Sequence, residues 1–111
     1  MDASSILELF EPVAHVTVRR MFGGHGIYAD GSIVAIEAEG IIWMKADAIT
    51  LPIFERHGLK PFTYSKSGKT FSMSYRALPH SAYDDPDELR VWLLLAQEAS
   101  SRAGPAKSKD A

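Results

Sequence analysis

The chain has 111 residues, of which 46% are hydrophobic and 23% are charged, and its formal net charge is −2 at pH 7. This composition is typical of one folded globular domain and excludes a disordered or fibrous protein. The absence of cysteine excludes disulfides and thiolate chemistry. No apolar run approaches the roughly 20 residues that span a bilayer, so we expect a soluble cytoplasmic protein with no membrane partner.

Apolar residues at helical spacing predict a first helix over residues 4–14, capped by Asp2, Ser4 or Ser5. The pattern then changes to four strand-like runs, at residues 16–22, 26–29, 33–37 and 41–45. Glycine-containing pairs separate these runs, namely Gly23-Gly24, Asp30-Gly31 and Glu39-Gly40. Short strands joined by such turns predict an antiparallel meander.

Residues 46–57 predict a second helix, in which Pro52 causes a late start or a kink and Gly58 provides a left-handed end. A half-buried hairpin is predicted next, around a turn at Ser67-Gly68. Its large side chains alternate with small polar ones; they are Phe62, Tyr64, Phe71, Met73 and Tyr75.

The last helix has the strongest start signal, because Asp85 can cap it, Pro86 suits its first position and Glu88 its third. Its apolar face is expected to cover the sheet. The sequence therefore predicts an α+β fold in the order α-β-β-β-β-α-β-β-α, with an antiparallel sheet of a meander and a C-terminal hairpin packed against helices. We expect one domain over residues 1–102 and a disordered tail over residues 103–111.

Patterns of catalytic and metal sites are not found. The histidines lie too far apart along the chain to form a helical metal motif, and they are His15, His25, His57 and His80. Gly68-Lys69-Thr70 lacks the first glycine of a phosphate loop, and Gly24-His25-Gly26 lacks the third glycine of a dinucleotide fingerprint. We therefore expect no enzyme activity, no metal and no cofactor.

Basic residues on or beside the predicted strands could converge on one binding surface or form an ordinary solvated face of the sheet. They are Arg19, Arg20, Lys45, Lys66, Lys69 and Arg76. Nearby aromatic residues could stack on nucleobases, but their alternation with small polar residues favours packing in the core; they are Trp43, Tyr64, Phe71 and Tyr75. The sequence pI near 6.0 argues against direct DNA binding.

One run of the sequence, Arg19-Arg20-Met21-Phe22-Gly23-Gly24-His25-Gly26-Ile27-Tyr28, lies between two strand-like segments. Lys45-Ala46-Asp47, Pro61-Phe62-Thr63-Tyr64 and the Asp85-Pro86 helix start follow it in order. Together these motifs resemble the N-terminal domain of the TfoX (Sxy) family of bacterial competence regulators, over about residues 21–99. The resemblance implies an α+β domain whose antiparallel sheet is covered by helices. Full-length relatives have a second, helical domain and act with a cyclic-AMP receptor protein at promoters, and we expect this chain to be a stand-alone form.

The resemblance implies a non-enzymatic regulatory module that contacts a protein partner of the transcription machinery, with homodimer formation left open. The residues expected at the partner surface are Arg19, Arg20, Gly23, Gly24, His25, Lys45 and Lys69. The alternative is a small-anion or metabolite-binding protein, or an unrecognised enzyme, that uses the Gly23-Gly24-His25 turn. That alternative requires a pocket at this turn.

Overall fold

The computed structural model describes residues 1–21 and 23–104, with all side chains in this part except those at positions 66, 71 and 72. The described part contains three α-helices, six β-strands and a short 3-10 helix, His80–Tyr83. The helices are α1 (Ala3–Phe10), α2 (Leu51–Arg56) and α3 (Pro86–Ala103). The strands are β1 (Thr17–Met21), β2 (Gly24–Ala29), β3 (Ser32–Ala38), β4 (Ile41–Lys45), β5 (Pro61–Lys66) and β6 (Lys69–Ala77). The predicted α+β class and order of elements are confirmed.

Two predictions concern positions at the limits of the described part. Phe22, predicted to end the first strand, lies outside the described residues. The same holds for residues 105–111 of the predicted tail. Ala103, expected to begin that tail, is the last residue of α3, and Gly104 caps the helix.

Three hairpin turns have the backbone conformation that their sequences predict. In Asp30-Gly31 the two φ angles are 53° and 81°, in Glu39-Gly40 they are 54° and 81°, and in Ser67-Gly68 they are 54° and 78°. Two successive positive φ angles define the type I′ turn, whose twist matches that of the flanking strands. These turns therefore fix the register of the β2–β3, β3–β4 and β5–β6 hairpins.

The glycine pair between the first two strands has a different structure from the predicted turn. Gly23 has a φ of 80° and belongs to the turn, but Gly24 is the first residue of β2 and pairs with Met21. A Cβ atom at Gly24 would overlap the backbone carbonyl oxygen of Glu37 on β3. Glycine is required at this position because the neighbouring strand passes too close for a side chain.

The helices begin at well-defined caps. Asp2 accepts a hydrogen bond from the Ser5 amide at 2.8 Å, and α1 ends at Phe10, shortly before Pro12 and earlier than predicted. Asp85 accepts hydrogen bonds from the amides of Asp87 and Glu88, at 3.0 and 3.3 Å, which confirms the predicted start of α3. Asp2 and Asp85 accept hydrogen bonds from amides in the first helical turn, which have no partner within the helix. Both helices therefore begin where the sequence predicts.

The second helix is shorter than predicted. It begins at Leu51 rather than Ala46, because Asp47 holds a turn before it: the Asp47 carboxylate accepts from the amides of Ile49 and Thr50 at 3.1 and 3.0 Å. Pro52 lies in the first turn, where a missing amide is tolerated. The predicted left-handed end at Gly58 is confirmed by its φ of 68°.

The strands form a sheet in the order β1-β2-β3-β4-β6-β5, with every described pairing antiparallel. The chain leaves β4 through α2, forms β5 at the outer edge and returns through β6 beside β4. That return is short, since β4 and β6 pair only from Trp43↔Ala77 to Lys45↔Tyr75. The rest of β6, towards Lys69, pairs within the described residues with β5 alone.

The described helices cover one face of this sheet, called here the helix-covered face. Cross-strand partners share a face, so the register places Val18, Ile27, Ala35 and Met44 in one row. This row packs with side chains of all the described helices in one hydrophobic core; they include Ile6, Phe10, Phe54, Ala82, Leu89 and Trp92. The opposite face has no described helix on it, and we call it the helix-free face.

A bulge in β3 places two consecutive residues in the core. Ile27 pairs with Ala35 and Tyr28 with Ile33, which leaves Val34 without a partner in β2. Val34 and Ala35 are both fully buried in the core. An extra residue in one strand breaks the alternation of inward and outward side chains. The bulge therefore explains why β3 has a continuous apolar run although helices cover one face of the sheet.

Candidate functional site

The two adjacent arginines of β1 lie on opposite faces of the sheet. Arg19 pairs with Gly26 and lies on the helix-free face, where its guanidinium carbon is 5.4 Å from the centre of the Tyr28 ring. Arg20 pairs with His25 and belongs to the helix-covered face. Both side chains are exposed. The structure therefore separates two residues that the sequence placed in one surface.

Two lysines share the face of Arg19. Lys45 pairs with Tyr75, and its ammonium nitrogen lies 5.4 Å from the centre of that ring. Lys69 is an even number of residues before Tyr75 on β6 and therefore lies on the same face, exposed beside the hairpin turn. Arg19 and Lys45 form no hydrogen bond or ion pair with another described residue, so their charges are available to an external group.

The helix-free face is rich in aromatic side chains. Trp43 and Phe62 meet edge to face, with ring centres 5.1 Å apart at an angle of 65°. Tyr75 and Ile36 are each only 7% exposed although they lie outside the main core. Burial, reinforced by the nearby Tyr28, raises the pKa of Tyr75 to about 12, so its hydroxyl stays neutral. These side chains pack on one another. We call the apolar layer that Ile36, Trp43, Phe62 and Tyr75 form on this face the apolar floor.

The prediction that these aromatic residues pack in the core is borne out for the burial of Tyr75, but this residue lies outside the main core that the helices cover. Tyr75 and Trp43 lie on the helix-free face, and Tyr64 on β5 is 44% exposed. Met73 and Ile41 on the same face are 40% and 41% exposed. The side chain of Phe71, which belonged to the same prediction, lies outside the described part. The alternation was recognised correctly, but it could not reveal which face the helices cover.

Negative charge is absent from the strands of the helix-free face in the described part of the chain. The acidic residue within the strands is Glu37, and it pairs with His25 and Ile42 on the helix-covered face. The other acids of the described residues lie in helices, turns and connections. The helix-free face thus combines an apolar floor with cations in a chain whose net charge is −2.

His25 is held by a buried carboxylate. Its Nδ1 lies 2.7 Å from Oε1 of Glu37, and Oε2 of Glu37 accepts from the Gly40 amide at 2.9 Å. Burial to 4% exposure would by itself raise the pKa of Glu37, but these hydrogen bonds outweigh it and hold the pKa below its usual value. A carboxylate only accepts, so His25 carries its proton on Nδ1. This pair ties β2 to the β3–β4 turn.

The remaining basic residues of the predicted set have structural contacts. Arg76 donates to the carbonyl oxygen of Leu59 and to Oε2 of Glu55, both at 3.1 Å, and so joins β6 to α2. The side chain of Lys66 lies outside the described part. The basic set therefore does not form one surface: Arg19, Lys45 and Lys69 of the predicted site lie on the helix-free face, whereas Arg20 and His25 lie on the helix-covered face.

Asp47 connects two distant parts of the fold, a role that the sequence did not reveal. Its carboxylate forms a two-point contact with Arg102 near the end of α3, with distances of 2.6 Å to Nε and 3.0 Å to Nη2. The Arg102 hydrogen bond, together with the Thr50 amide, lowers the pKa of Asp47 well below its usual range. Asp47 thus fixes the start of α2 to the end of α3.

Two hollows of the described structure lie away from the Gly23-Gly24-His25 turn. One lies between α1 and the segment that leads to β1, beside Leu7 and Glu11, and the other lies between the β2–β3 turn and the end of α3, beside Asp30 and Ser101. Among the described residues, no three histidines or acids come close enough to hold a metal ion. No described helix has the length and apolar character needed to cross a bilayer.

The comparisons with known proteins agree with the sequence motifs. The family model of the TfoX N-terminal domain matches residues 8–100, which includes the whole sheet and all but the first residues of α1 and the last residues of α3. No curated protein matches the chain. A match over most of the chain, on a fold with the expected order of elements, shows that this chain belongs to the TfoX N-terminal domain family.

Proposed function

We propose that this chain is a non-enzymatic regulatory module that binds a protein partner of the transcription machinery through the helix-free face of its sheet. The observation that carries the proposal is the concentration of apolar and cationic side chains on a face without a described helix. We call this set the helix-free surface; it consists of Arg19, Tyr28, Ile36, Trp43, Lys45, Phe62, Tyr64, Met73 and Tyr75.

The composition of the helix-free surface resembles the centre of a protein interface. Aromatic residues, methionine and arginine are enriched there, and acidic residues are depleted. Tryptophan, tyrosine and arginine also supply most of the residues whose truncation weakens binding strongly. On a sheet face that carries this set, the removal of apolar surface from water is greatest when another molecule covers it.

Membership in the TfoX N-terminal domain family supports the regulatory part of the proposal. The contact with a transcription protein is proposed from that family. The proposed surface keeps two of the expected partner residues, Arg19 and Lys45, and Lys69 lies on the same face beside it. The surface leaves out Arg20, Gly23, Gly24 and His25. The glycines serve the backbone of the turn and of β2, and His25 is bonded to Glu37.

The alternative function, an anion or metabolite site at the Gly23-Gly24-His25 turn, has less support. Gly24 is buried against β3, and Nδ1 of His25 is engaged by Glu37. The described hollows are lined by other residues. Neither of these hollows therefore offers an enclosed ligand site at this turn.

Capture from a lysate of the source organism tests the proposal, with Arg19→Ala and Arg20→Ala as matched variants. They remove the same charge from adjacent exposed positions of one strand but from opposite faces. We expect a transcription protein to be lost with Arg19→Ala and kept with Arg20→Ala, as identified by mass spectrometry of the retained proteins and small molecules. Equal retention by both variants would contradict the proposal, and a retained metabolite without a protein would favour the alternative.

A further inference from the structure

The cations of the helix-free surface are held in place by the aromatic rings beneath them. Arg19 lies over Tyr28 and Lys45 lies over Tyr75, each at 5.4 Å from the ring centre. A cation over a ring is partly desolvated and restricted in its rotamers. Such a cation loses less freedom when it pairs with an anion than a free surface lysine would. The surface therefore presents two ordered positive groups that no carboxylate of residues 1–21 and 23–104 compensates.

The spacing of these cations defines what could pair with both. β1 and β4 are separated by three strand intervals, and Lys45 lies two residues along the strands from the level of Arg19. With strands roughly 4.8 Å apart and a rise of about 3.3 Å per residue, the two positions lie about 16 Å apart. Ile36 and Trp43 lie between them in the register. A ligand that meets both cations must cross an apolar floor.

We infer that the segment that binds the helix-free surface is an acidic protein segment with apolar anchors, whose carboxylates pair with Arg19 and Lys45 while its apolar side chains cover Ile36 and Trp43. This inference rests on the proposed function and names the chemistry of its partner. Charge-assisted hydrogen bonds to the two cations supply orientation, and burial of the exposed apolar side chains beside the floor, such as Ile41 and Met73, supplies most of the affinity. Lys69, at the outer end of the same face, extends the cationic side for a longer segment.

A second copy of this chain fits the surface less well. Two helix-free surfaces placed face to face would oppose Arg19 and Lys45 with cations and without a strand carboxylate on the described residues. The chain does carry acids at the start of α3, at Asp85, Asp87 and Glu88. Contact between that helix start and the helix-free surface of another copy would be head to tail, and such contacts form open chains unless the rotation closes.

Single-stranded nucleic acid is also a weaker fit. Base stacking needs free ring faces, but Arg19 covers Tyr28, Lys45 covers Tyr75 and Phe62 packs against Trp43. Among the described side chains, three cations on this face would attract a polyanion, in a chain that is negative overall. Apolar anchors make better use of the exposed side chains of Ile41 and Met73.

A library of random 16-residue peptides displayed on phage tests the inference without assuming a partner. Selection is made on immobilised wild-type chain. Binding is then compared with the double variant Arg19→Gln, Lys45→Gln and with the control Arg20→Gln, Arg56→Gln, which removes the same charge from exposed positions outside the surface. We expect selected peptides rich in Asp and Glu together with Leu, Phe or Trp. Their affinity should fall about tenfold or more in the first variant and by less than about twofold in the control.

Tryptophan fluorescence locates the bound peptide. Trp43 belongs to the helix-free surface, whereas Trp92 is buried in the core. A tryptophan-free selected peptide should shift the emission of the wild type and have no effect on Trp43→Phe. Thermal unfolding of each variant establishes that it is folded.

Each result has a defined meaning. Peptides that bind the helix-free surface but are neutral or basic overturn the inference and leave the proposed function standing. Peptides that bind elsewhere, with no loss in Arg19→Gln, Lys45→Gln and no change at Trp43, overturn both. Failure to enrich any peptide, or binding of a fluorescent oligouridine 12-mer or a second copy that competes with the selected peptides, overturns the acidic protein segment as occupant.

Discussion

The two faces of the sheet differ in what covers the side chains of the same strands. On the helix-covered face, the row from Val18 to Met44 is sealed by three helices, and the one strand carboxylate, Glu37, is bonded to His25 and Gly40. On the helix-free face, aromatic rings pack on each other and lie beneath the charged groups of Arg19 and Lys45. The first face is covered by helices, and no described helix covers the second. Under the proposed function, the first face serves folding and the second serves recognition.

The largest expected difference between the faces is in the cost of truncating a side chain. Phe54 is fully buried and packs against Trp92 with ring centres 5.0 Å apart. We expect Phe54→Ala to lower the free energy of unfolding by about 3–5 kcal/mol, and Met73→Ala on the helix-free face by less than about 1 kcal/mol. Urea denaturation followed by circular dichroism measures both. Comparable losses would mean that the helix-free face is a second core.

A smaller effect is expected at the glycine pair that positions β2 against β3. Gly24→Ala places a methyl group against the Glu37 carbonyl, so the strands must separate, at a cost of about 1–3 kcal/mol. Gly23→Ala meets open space, and only its φ of 80° resists the substitution, at about 1 kcal/mol. Thermal unfolding of the two variants side by side checks the order. A reversal would show that the turn, rather than the close approach of strands, requires glycine.

The loss of folding stability at low pH should come from two carboxylates, those of Glu37 and Asp47. Glu37 and Asp47 have pKa values below their ordinary ones in the folded chain, so at low pH the unfolded chain binds protons more readily. Their contribution to stability is complete above the unfolded pKa values, at about pH 4, and is lost as the pH falls through the lower folded values. We expect Glu37→Gln to cost about 1–3 kcal/mol at pH 7 and to flatten the acid limb of the stability profile.

Asp47→Asn should flatten the same limb, because it removes the two-point contact with Arg102. Denaturant melts from pH 7 to pH 2 provide the measurement for both variants. Asp30→Asn, at an exposed turn, is the control and should leave the limb unchanged. An acid limb that persists in the double variant Glu37→Gln, Asp47→Asn would place the titrating groups elsewhere.

The smallest expected effect on stability is at the cations of the helix-free surface. Arg19→Gln and Lys45→Gln each remove one contact between a cation and a ring, so the free energy of unfolding should change by about 0.5–1 kcal/mol or less. Arg20→Gln should change it by less than about 0.5 kcal/mol. Equilibrium unfolding in urea resolves this difference. A loss above about 2 kcal/mol at Arg19 would assign it to the fold rather than to binding.

Local signals in the sequence predicted the local structure well. The Asp30-Gly31, Glu39-Gly40 and Ser67-Gly68 pairs predicted their hairpins because few residues accept two successive positive φ angles. The Asp85-Pro86 start of α3 was equally readable, since capping depends on neighbours within one turn. The motif order of residues 19–86 also led to the family.

The parts that the sequence did not reveal depend on distant contacts. The insertion of β6 between β4 and β5, the bulge at Val34 and the split of Arg19 from Arg20 follow from packing of the whole sheet. The Asp47–Arg102 contact joins residues far apart in the chain, and the His25–Glu37 pair depends on the register of β2 and β3. Period-2 alternation shows that a strand has two sides but does not show which side the helices cover.

Because β4 and β6 pair over a short stretch, the outer half of the β5–β6 hairpin is less firmly attached to the sheet than its base. Between Lys69 and Met73, β6 pairs within the described chain with β5 alone. Its other end is anchored by the hydrogen bond from the Ala46 amide to the Ser74 carbonyl and by pairing with β4. Amides near the Ser67-Gly68 turn should therefore exchange with solvent faster than those at the anchor. Tyr64 and Met73 lie on the outer half of this hairpin, whereas Arg19 and Trp43 lie on the meander. A bound segment that contacts the hairpin and the meander would restrict the movement of one relative to the other. Binding would therefore make the sheet more rigid.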